Sequence, residues 1–330
     1  MSSILKKARN ALPKLIRDTT NPHPVDMMGD YRRSYKFKTK FGMIGPVSAG
    51  KSTVCAGIVY VCQNRSALIP NFYARVLPSS SHILQDANNL RQGRFPDKTD
   101  PTTPQAPEAG LLISQRGMIS NKGVHVPICD VAGEVTDYLF DQGEGNAPHE
   151  RVSSAFASVN RVVVDTVRDC QGFIIVLDAN DAIMFSDGTH DNDVYTHNAM
   201  TNILEWRRRN HRNDPHVIVI LSKWDEVMSK AKDLQMDAYD GENGLQRFLD
   251  NGFPSTSMLL KPLRDKNMVR FFRSWFNLVR DKNTGNIETW PDGRPKIRIK
   301  DLPSDYIRFK VDMAEPDYIN LISYIGSFGG

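Results

Sequence analysis

The sequence predicts an α/β protein: a doubly wound, mostly parallel sheet with helices on both faces, one antiparallel edge strand and a small β-hairpin insertion. Three observations carry this expectation. Phe173–Leu177 and Val217–Leu221 are apolar without alternation, as strands covered on both faces of a parallel sheet must be. Segments with apolar residues at helical spacing alternate with these strand-like runs along the chain. A glycine-containing turn at 45–50 follows an alternating strand and opens a helix.

The elements follow in order. Residues 2–18 place Ile4, Leu5, Ala8, Leu12, Leu15 and Ile16 on one helical face. Lys6, Lys7, Arg9, Lys14 and Arg17 are basic there, against the single acid Asp18. Pro13 kinks that helix or ends its first half. Such a basic amphipathic helix suits docking on the domain, on a partner or on a membrane surface. Asn21-Pro22-His23-Pro24 reads as a linker, so residues 1–33 stand apart from a domain over 34–330. Residues 34–44 alternate Tyr35, Phe37, Thr39 and Phe41 with Lys36, Lys38 and Lys40, a half-buried strand. A helix runs from Ser52 to about Gln63, and another over 81–92 with Gly93 as its stop. Residues 96–107, rich in proline and threonine, are loop. Two strands flank the Asn121-Lys122-Gly123 turn, the second ending at Ile128-Cys129-Asp130.

Helices are expected at 149–168, 192–210 and near 240–250, and a last core strand over 267–276. Residues 281–312 carry the turn signals Thr284-Gly285 and Pro291-Asp292-Gly293 and alternate Ile297 with Ile299, a β-hairpin insertion. Tyr318, Leu321, Ile322 and Ile325 mark a C-terminal helix.

Composition narrows the function. Hydrophobic residues are 40% and charged residues 24% of 330, which excludes disorder over the whole chain. The charge balance is 42 − 38 = +4, too weak to imply a nucleic-acid partner. Cys55, Cys62, Cys129 and Cys170 form no CxxC pair and read as reduced thiols. The longest apolar run, Val54–Cys62, is far short of a membrane span, and there is no signal-peptide core or N-terminal myristoylation glycine. The expectation is a cytoplasmic protein, with a peripheral position on a membrane through residues 2–18 as the alternative.

Gly45-Pro46-Val47-Ser48-Ala49-Gly50-Lys51-Ser52, followed by Thr53, fits G-x-x-x-x-G-K-S/T at every fixed position. Two glycines let the backbone wrap an anion with no Cβ in the way. The N–H groups of about Ser48 to Ser52 then face phosphates at the positive end of a helix, Lys51 reaches the β- and γ-phosphates, and the Ser52 hydroxyl ligates Mg²⁺. Farther on, Asp130-Val131-Ala132-Gly133-Glu134 ends a strand with D-x-x-G, a carboxylate suited to Mg²⁺ and a glycine N–H suited to a γ-phosphate. Ser222-Lys223-Trp224-Asp225 follows Val217–Leu221. The carboxylate of Asp225 can accept both the N1–H and the 2-amino group of guanine, a donor pair that adenine lacks, and the Lys223 stem can lie on the base plane.

Phosphate loop, D-x-x-G and N/T/S-K-x-D in that order resemble the translation-factor-related class of P-loop GTPases. The resemblance covers about residues 34–280 and most of the C-terminal helix. Gly93-Arg94-Phe95-Pro96-Asp97-Lys98-Thr99, with Asp130–Glu134 and Ser222–Asp225, looks most like GTPase domains of prokaryotic and viral conflict or multi-domain systems. It implies that GTP and Mg²⁺ are bound and GTP is hydrolysed to GDP and phosphate as a switch, slowly without an effector or activating protein. Ser52, Asp130 and a switch I threonine would hold Mg²⁺. Thr99 is the choice, with Thr102 and Thr103 as competitors. Lys51, Thr99, Gly133 and Glu134 would form the catalytic set. Gly45, Val47, Ser48, Ala49, Gly50, Lys51, Ser52, Thr53, Lys223 and Asp225 would bind the nucleotide. Switch I would lie in 66–107 and switch II around 131–147.

Two features depart from the family pattern. Glu134 stands where many relatives carry a water-orienting glutamine, and is either a water-positioning residue or a solvated loop acid in a slow enzyme. The Ser-Ala-like last base motif is not clear, and Ser274 is its candidate. No arginine finger is assigned among Arg94, Arg116 and Arg151. A non-catalytic GTP- or GDP-binding assembly module, and an ATPase carrying Ser222–Asp225 by coincidence, are the competing readings. His190, Asp191, Asp193 and His197 read as a polar loop capping the next helix rather than a metal site, Trp206–Arg209 as a solvated basic helix end, and His149-Glu150 as lacking a second histidine.

Overall fold

The computed structural model describes residues 39–46, 48–64, 69, 71–77, 80–96, 110–115, 123–127, 168–184, 191–230, 241–301 and 309–329. The helix expected over 2–18, the linker at 21–24, the start of the 34–44 strand and nearly all of the 149–168 helix lie outside the described residues.

In chain order the strands are β1 (Thr39–Ile44), β2 (Phe72–Val76), β3 (Leu111–Gln115), β4 (Gly123–Val126), β5 (Gly172–Asp178), β6 (His216–Ser222), β7 (Val269–Arg273), β8 (Ile299–Asp301) and β9 (Phe309–Val311). The helices are α1 (Lys51–Asn64), α2 (Ser81–Arg91), α3 (Ala179–Met184), α4 (Asp191–Arg209), α5 (Trp224–Lys230), α6 (Gly241–Gly252), α7 (Pro254–Arg264) and α8 (Glu315–Ser327). Seven strands form one sheet in the order β2-β3-β4-β1-β5-β6-β7. The pairs from β4 through β7 are parallel, and antiparallel pairing is confined to one edge, β2 with β3 and β3 with β4. This is the α/β, mostly parallel sheet that the sequence predicts.

The two unalternating runs explain why. All of β5 is buried, and in β6 only His216 is not. Side chains alternate across the sheet, so each run feeds two cores. Ile174, Val176, Ile218 and Ile220 join α1, α2 and α8 on one face. Phe173, Ile175, Leu177, Val217, Val219 and Leu221 join α4, α6 and α7 on the other. A register slip of one residue would exchange the two sets, which fixes the pairing of Gly172 with His216 through Asp178 with Ser222.

The structure adds elements that periodicity missed. β2 lies within the stretch assigned to switch I, its Phe72, Ala74 and Val76 packed on the α1 core and its five residues paired with β3. A five-residue strand bounded by Pro70 and Pro78 is too short to stand out alone. α7 starts with Pro254 at its first turn and tolerates Pro262 inside it. Its N-terminus is capped from α4, where the Asp193 carboxylate accepts the N–H groups of Ser255 and Thr256 at 2.9 Å each. The insertion begins at Phe276, five residues before the expected start. Bridges Phe276–Met313, Leu278–Ile297, Arg280–Ile287 and Thr289–Pro295 precede the β8–β9 hairpin. Phe276 and Leu278 alternate inward onto the α1 core, which extends the β-structure back to the sheet. Among the described residues no helix is long and apolar enough to cross a membrane.

α1 and α8 meet at Gly57, where an added Cβ would lie 2.5 Å from Tyr318 Cζ. Alanine is favoured in a helix by about 1 kcal/mol, but overpacking a fixed aromatic ring costs about 1–3 kcal/mol. Crowding wins here, because Tyr318 is buried and its hydroxyl is held 2.7 Å from Ser274 Oγ. Gly57→Ala therefore lowers the urea midpoint of unfolding. An unchanged midpoint would show that α8 can retreat from α1 without cost.

Candidate functional site

The site lies at the C-terminal ends of β1, β5 and β6. From β1 the chain goes on to build one side of the sheet through β2, β3 and β4, and it then crosses to β5 on the other side. Open α/β sheets bind ligands at such a reversal, beyond the carboxyl ends of the strands.

The loop after β1 is seated on β5. A Cβ at Gly45 would lie 2.3 Å from the Val176 carbonyl oxygen, so no other residue allows this approach. Gly50 has φ 92°, a conformation that favours glycine, and Ser48 is left-handed at φ 65°. Ala49 is buried, with its N–H bonded to Pro46 O at 3.3 Å. α1 starts directly after, and its own ladder begins with Val54 N–H to Gly50 O at 2.9 Å. The earlier N–H groups are directed out of the helix N-terminus, and no acid in the first turn offsets that positive pole. Ser52 and Thr53 are half-buried in this turn. Lys51 is buried and its ammonium donates to Gly45 O at 2.8 Å and Pro46 O at 2.9 Å. A phosphate oxygen is a stronger, charge-assisted acceptor than either carbonyl, so a polyphosphate in the loop competes for this cation.

Ser222 ties the loop to the neighbouring strands. Its buried hydroxyl lies 2.6 Å from Ala49 O and 2.9 Å from Leu177 O. The sequence placed Ser222 in a motif without giving it a role. Only the pairing of β5 with β6 brings it under the loop. Lys223 is left-handed, and its ammonium pairs with Asp178, whose other oxygen accepts Asn180 N–H at 3.0 Å. Burial pushes the Asp178 carboxyl above its ordinary range, and the bond from Lys223 opposes this. Asp178 is a second residue that pattern reading missed. It ends an apolar strand and becomes significant only beside Lys223.

Trp224 anchors α5, buried and edge-on to Phe248 at 4.8 Å. This holds Asp225, half-buried, next to the chain leaving β7. Trp224 N–H donates to Ser274 O at 3.2 Å, and Ser274 N–H to Leu221 O at 2.9 Å. The Ser274 backbone therefore borders Asp225's helix, while its hydroxyl turns into the core against Tyr318. Burial pushes the Asp225 carboxyl up to about 6, with Glu226 adding to the rise. Its own N–H, Arg280 and the N–H of Phe276 oppose it.

The structure thus brings together Gly45, Ser48, Ala49, Gly50, Lys51, Ser52 and Thr53 with Lys223, Asp225 and the Ser274 backbone. Val47, Thr99, Thr102, Thr103, Asp130, Gly133 and Glu134 lie outside the described residues, as does the 131–147 stretch. The strand leading toward Asp130 does run beside β1, where Met43 N–H donates to Pro127 O at 3.0 Å. Among the described residues no group of three or more His, Cys, Asp or Glu side chains could hold a metal. Asp193 and His197 serve α7 instead, His197 Nδ1 lying 3.1 Å from Ser255 O. Arg207 departs from the solvated helix end expected of Trp206–Arg209. It is buried and donates to Cys170 O at 2.7 Å and Asn213 O at 2.6 Å, which ties α4 to the strand entrance. A scan against protein-family models and a search of curated proteins returned no match to this chain.

Asp225 gives a pH signature. Its pKa is raised on folding from 3.8 to about 6, so the folded state holds the proton more tightly. The associated stability is present below pH 4 and lost as pH rises through about 6. At pH 7.5 the charged carboxylate destabilises the unliganded fold, and Asp225→Asn raises unfolding stability by about 1–2 kcal/mol. The gain shrinks toward pH 4.5. Urea titrations of both proteins at the two pH values check this, and a gain independent of pH would refute it.

Proposed function

We propose that the protein binds GTP with Mg²⁺ and hydrolyses it to GDP and phosphate, as a nucleotide-dependent switch of the translation-factor-related GTPase class. One observation carries the reading. The phosphate-loop motif and the Ser222–Asp225 motif, 170 residues apart in the chain, meet at one end of the sheet, with Ser222 bonded to the loop itself. A polyphosphate on the loop and a purine at Asp225 are then the two ends of one ligand.

The residues present fit both. Gly45 and Gly50 let the loop lie against β5 and the Ser222 side chain, α1 directs its positive pole at the loop with no acid in its own first turn, and Lys51 supplies a cation. Ser52 would hold Mg²⁺ by its hydroxyl, with Asp130 and Thr99 completing the protein's ligands. When bound, the ion would supply charge neutralisation for the polyphosphate. Lys51 leaves its loop carbonyls for the β- and γ-phosphate oxygens, and the loop N–H groups hold them in place, so that little reorganises as charge moves toward the β-phosphate. Water attacks the γ-phosphorus as the bond to the bridging oxygen breaks, and GDP carries the charge away. Glu134 is assigned to orienting that water, and Gly133 to the γ-phosphate through its N–H. Asp225 selects guanine only when ionised, so GTP affinity rises with pH through about 6.

By isothermal titration, Lys51→Ala abolishes GTP binding, and Asp225→Asn reduces the preference for GTP over ATP at least ten-fold. Urea unfolding of Asp225→Asn at the same pH separates a loss of selectivity from a loss of structure. Wild-type binding in both variants would falsify the assignment. Phosphate release from GTP, lost in Glu134→Ala with binding retained, supports hydrolysis. GTP binding without phosphate release, even in the wild type, would leave the non-catalytic assembly module as the correct reading.

A further inference from the structure

The insertion from Phe276 to Met313 grips two places that the sheet keeps apart. The first is the chain leaving α2. Gly93 O accepts Ile297 N–H at 2.8 Å and the Trp290 indole N–H at 3.2 Å, and Phe95 N–H donates to Pro295 O at 3.2 Å. The Arg94 guanidinium lies 4.7 Å over the Trp290 ring and 3.9 Å from Asp292. Gly93 is left-handed, and a Cβ there would lie 2.8 Å from Ile299 Cδ1. The segment is therefore shaped to lie flush on the insertion.

The second place is Asp225. The carbonyl of Ser274, in the chain that runs on to Phe276, accepts the Trp224 N–H next to Asp225 at 3.2 Å. One turn into the insertion, the Arg280 guanidinium lies 3.4 Å from Glu226 on the same helix. Phe276 joins the two places. Its buried ring stands edge-on to Phe95 at 5.9 Å and lies 6.3 Å from Tyr318. A shift of the Ser274–Phe276 backbone that loosens its bond to Trp224 also spoils the Phe276 ring contact to Phe95.

We propose that Phe276 is a positioning residue through which guanine recognition at Asp225 is coupled to the seating of Gly93-Arg94-Phe95 on the insertion. This rests on the reading of Asp225 as the guanine-selecting residue. By linkage the coupling is reciprocal: a bound guanine nucleotide tightens the grip on Gly93–Phe95, and loosening that grip weakens the nucleotide by the same factor. The Trp290 indole bond and the Arg94 stack, both on the insertion, set how firmly the segment is held.

Amide hydrogen exchange on the full chain tests this, with GDP as the probe. The amides of Phe95 and Ile297 report the grip, and those of Trp224 and Ser274 report the base site. GDP is expected to slow all four, the grip amides by about five-fold or more. Phe276→Leu keeps the backbone N–H but loses the ring. It is expected to bind GDP more weakly by the lost coupling factor, about two-fold to ten-fold, while Phe95 and Ile297 cease to respond. Phe95→Leu removes the same ring contact from a half-buried position and gives the same result where Phe276→Leu fails to fold. Trp290→Phe keeps a ring under Arg94 but loses the bond to Gly93, and it weakens GDP binding by about two-fold to ten-fold. Slowing at Trp224 and Ser274 with no change at Phe95 and Ile297 overturns the coupling and leaves the nucleotide site standing. Faster exchange in the Phe276→Leu protein with an undiminished GDP response also overturns it, since that is a packing role alone. No slowing at any of the four amides removes the guanine site and the coupling together.

Discussion

The contact of Gly45 with the Val176 carbonyl is the constraint on which the site depends. It leaves no room for a side chain, so the loop after β1 is pressed onto β5. From that position Ala49 O comes within reach of the Ser222 hydroxyl on β6, and α1 leaves with its N-terminus over the sheet's carboxyl end. Were the loop to stand off by the width of a methyl group, Ser222 would lose its bond to Ala49 O and the loop would no longer face the Ser222–Asp225 turn. The core behind it makes the constraint rigid. β5 is buried along its whole length and cannot yield.

Strain and desolvation collect at this same end of the sheet. Ser48, Gly50 and Lys223 have left-handed backbones. Lys51, Asp178 and Asp225 are charged groups drawn out of water to different degrees, and Lys51 and Asp178 are each held by specific partners. Such features cost stability and persist only where the surroundings determine them. The opposite end is packed for stability. There Phe328 meets Phe41, Tyr324 and His216, and Thr39 donates to the Phe328 carbonyl, which closes the C-terminal helix over the start of β1.

The insertion between β7 and α8 gives the fold its own character. Its root leaves the sheet beside Asp225, and its far turns cover the exit from α2, so one short β-structure touches both halves of the chain. A rigid hydrogen-bonded ladder transmits a displacement at one end to the other better than a loop of the same length.

Much was legible in the sequence because it was local. The glycines and lysine of 45–52 state a backbone shape and a charge. The unalternating runs of β5 and β6 state burial on two faces, and the periodicity of 192–210 and the spacing of Tyr318, Leu321, Ile322 and Ile325 state helices. The missed elements lacked any local signal strong enough to read. β2 is five residues long, and α7 contains Pro262 and leans on Asp193 of another helix for its cap; Phe276, read as the end of the last core strand, lies beyond that strand's end at Arg273 and is bridged to Met313 instead. Sequence alone therefore determined the backbone shape of the loop over residues 45–52 and the order of the motifs along the chain, since glycine freedom, charge and hydrophobic period act over a few residues. Tertiary structure decided that Ser222 holds the loop, that Asp178 holds Lys223, and that Asp225 is half-buried beside Phe276. Those facts depend on which strands become neighbours, and that is settled by burying two faces of the sheet at once.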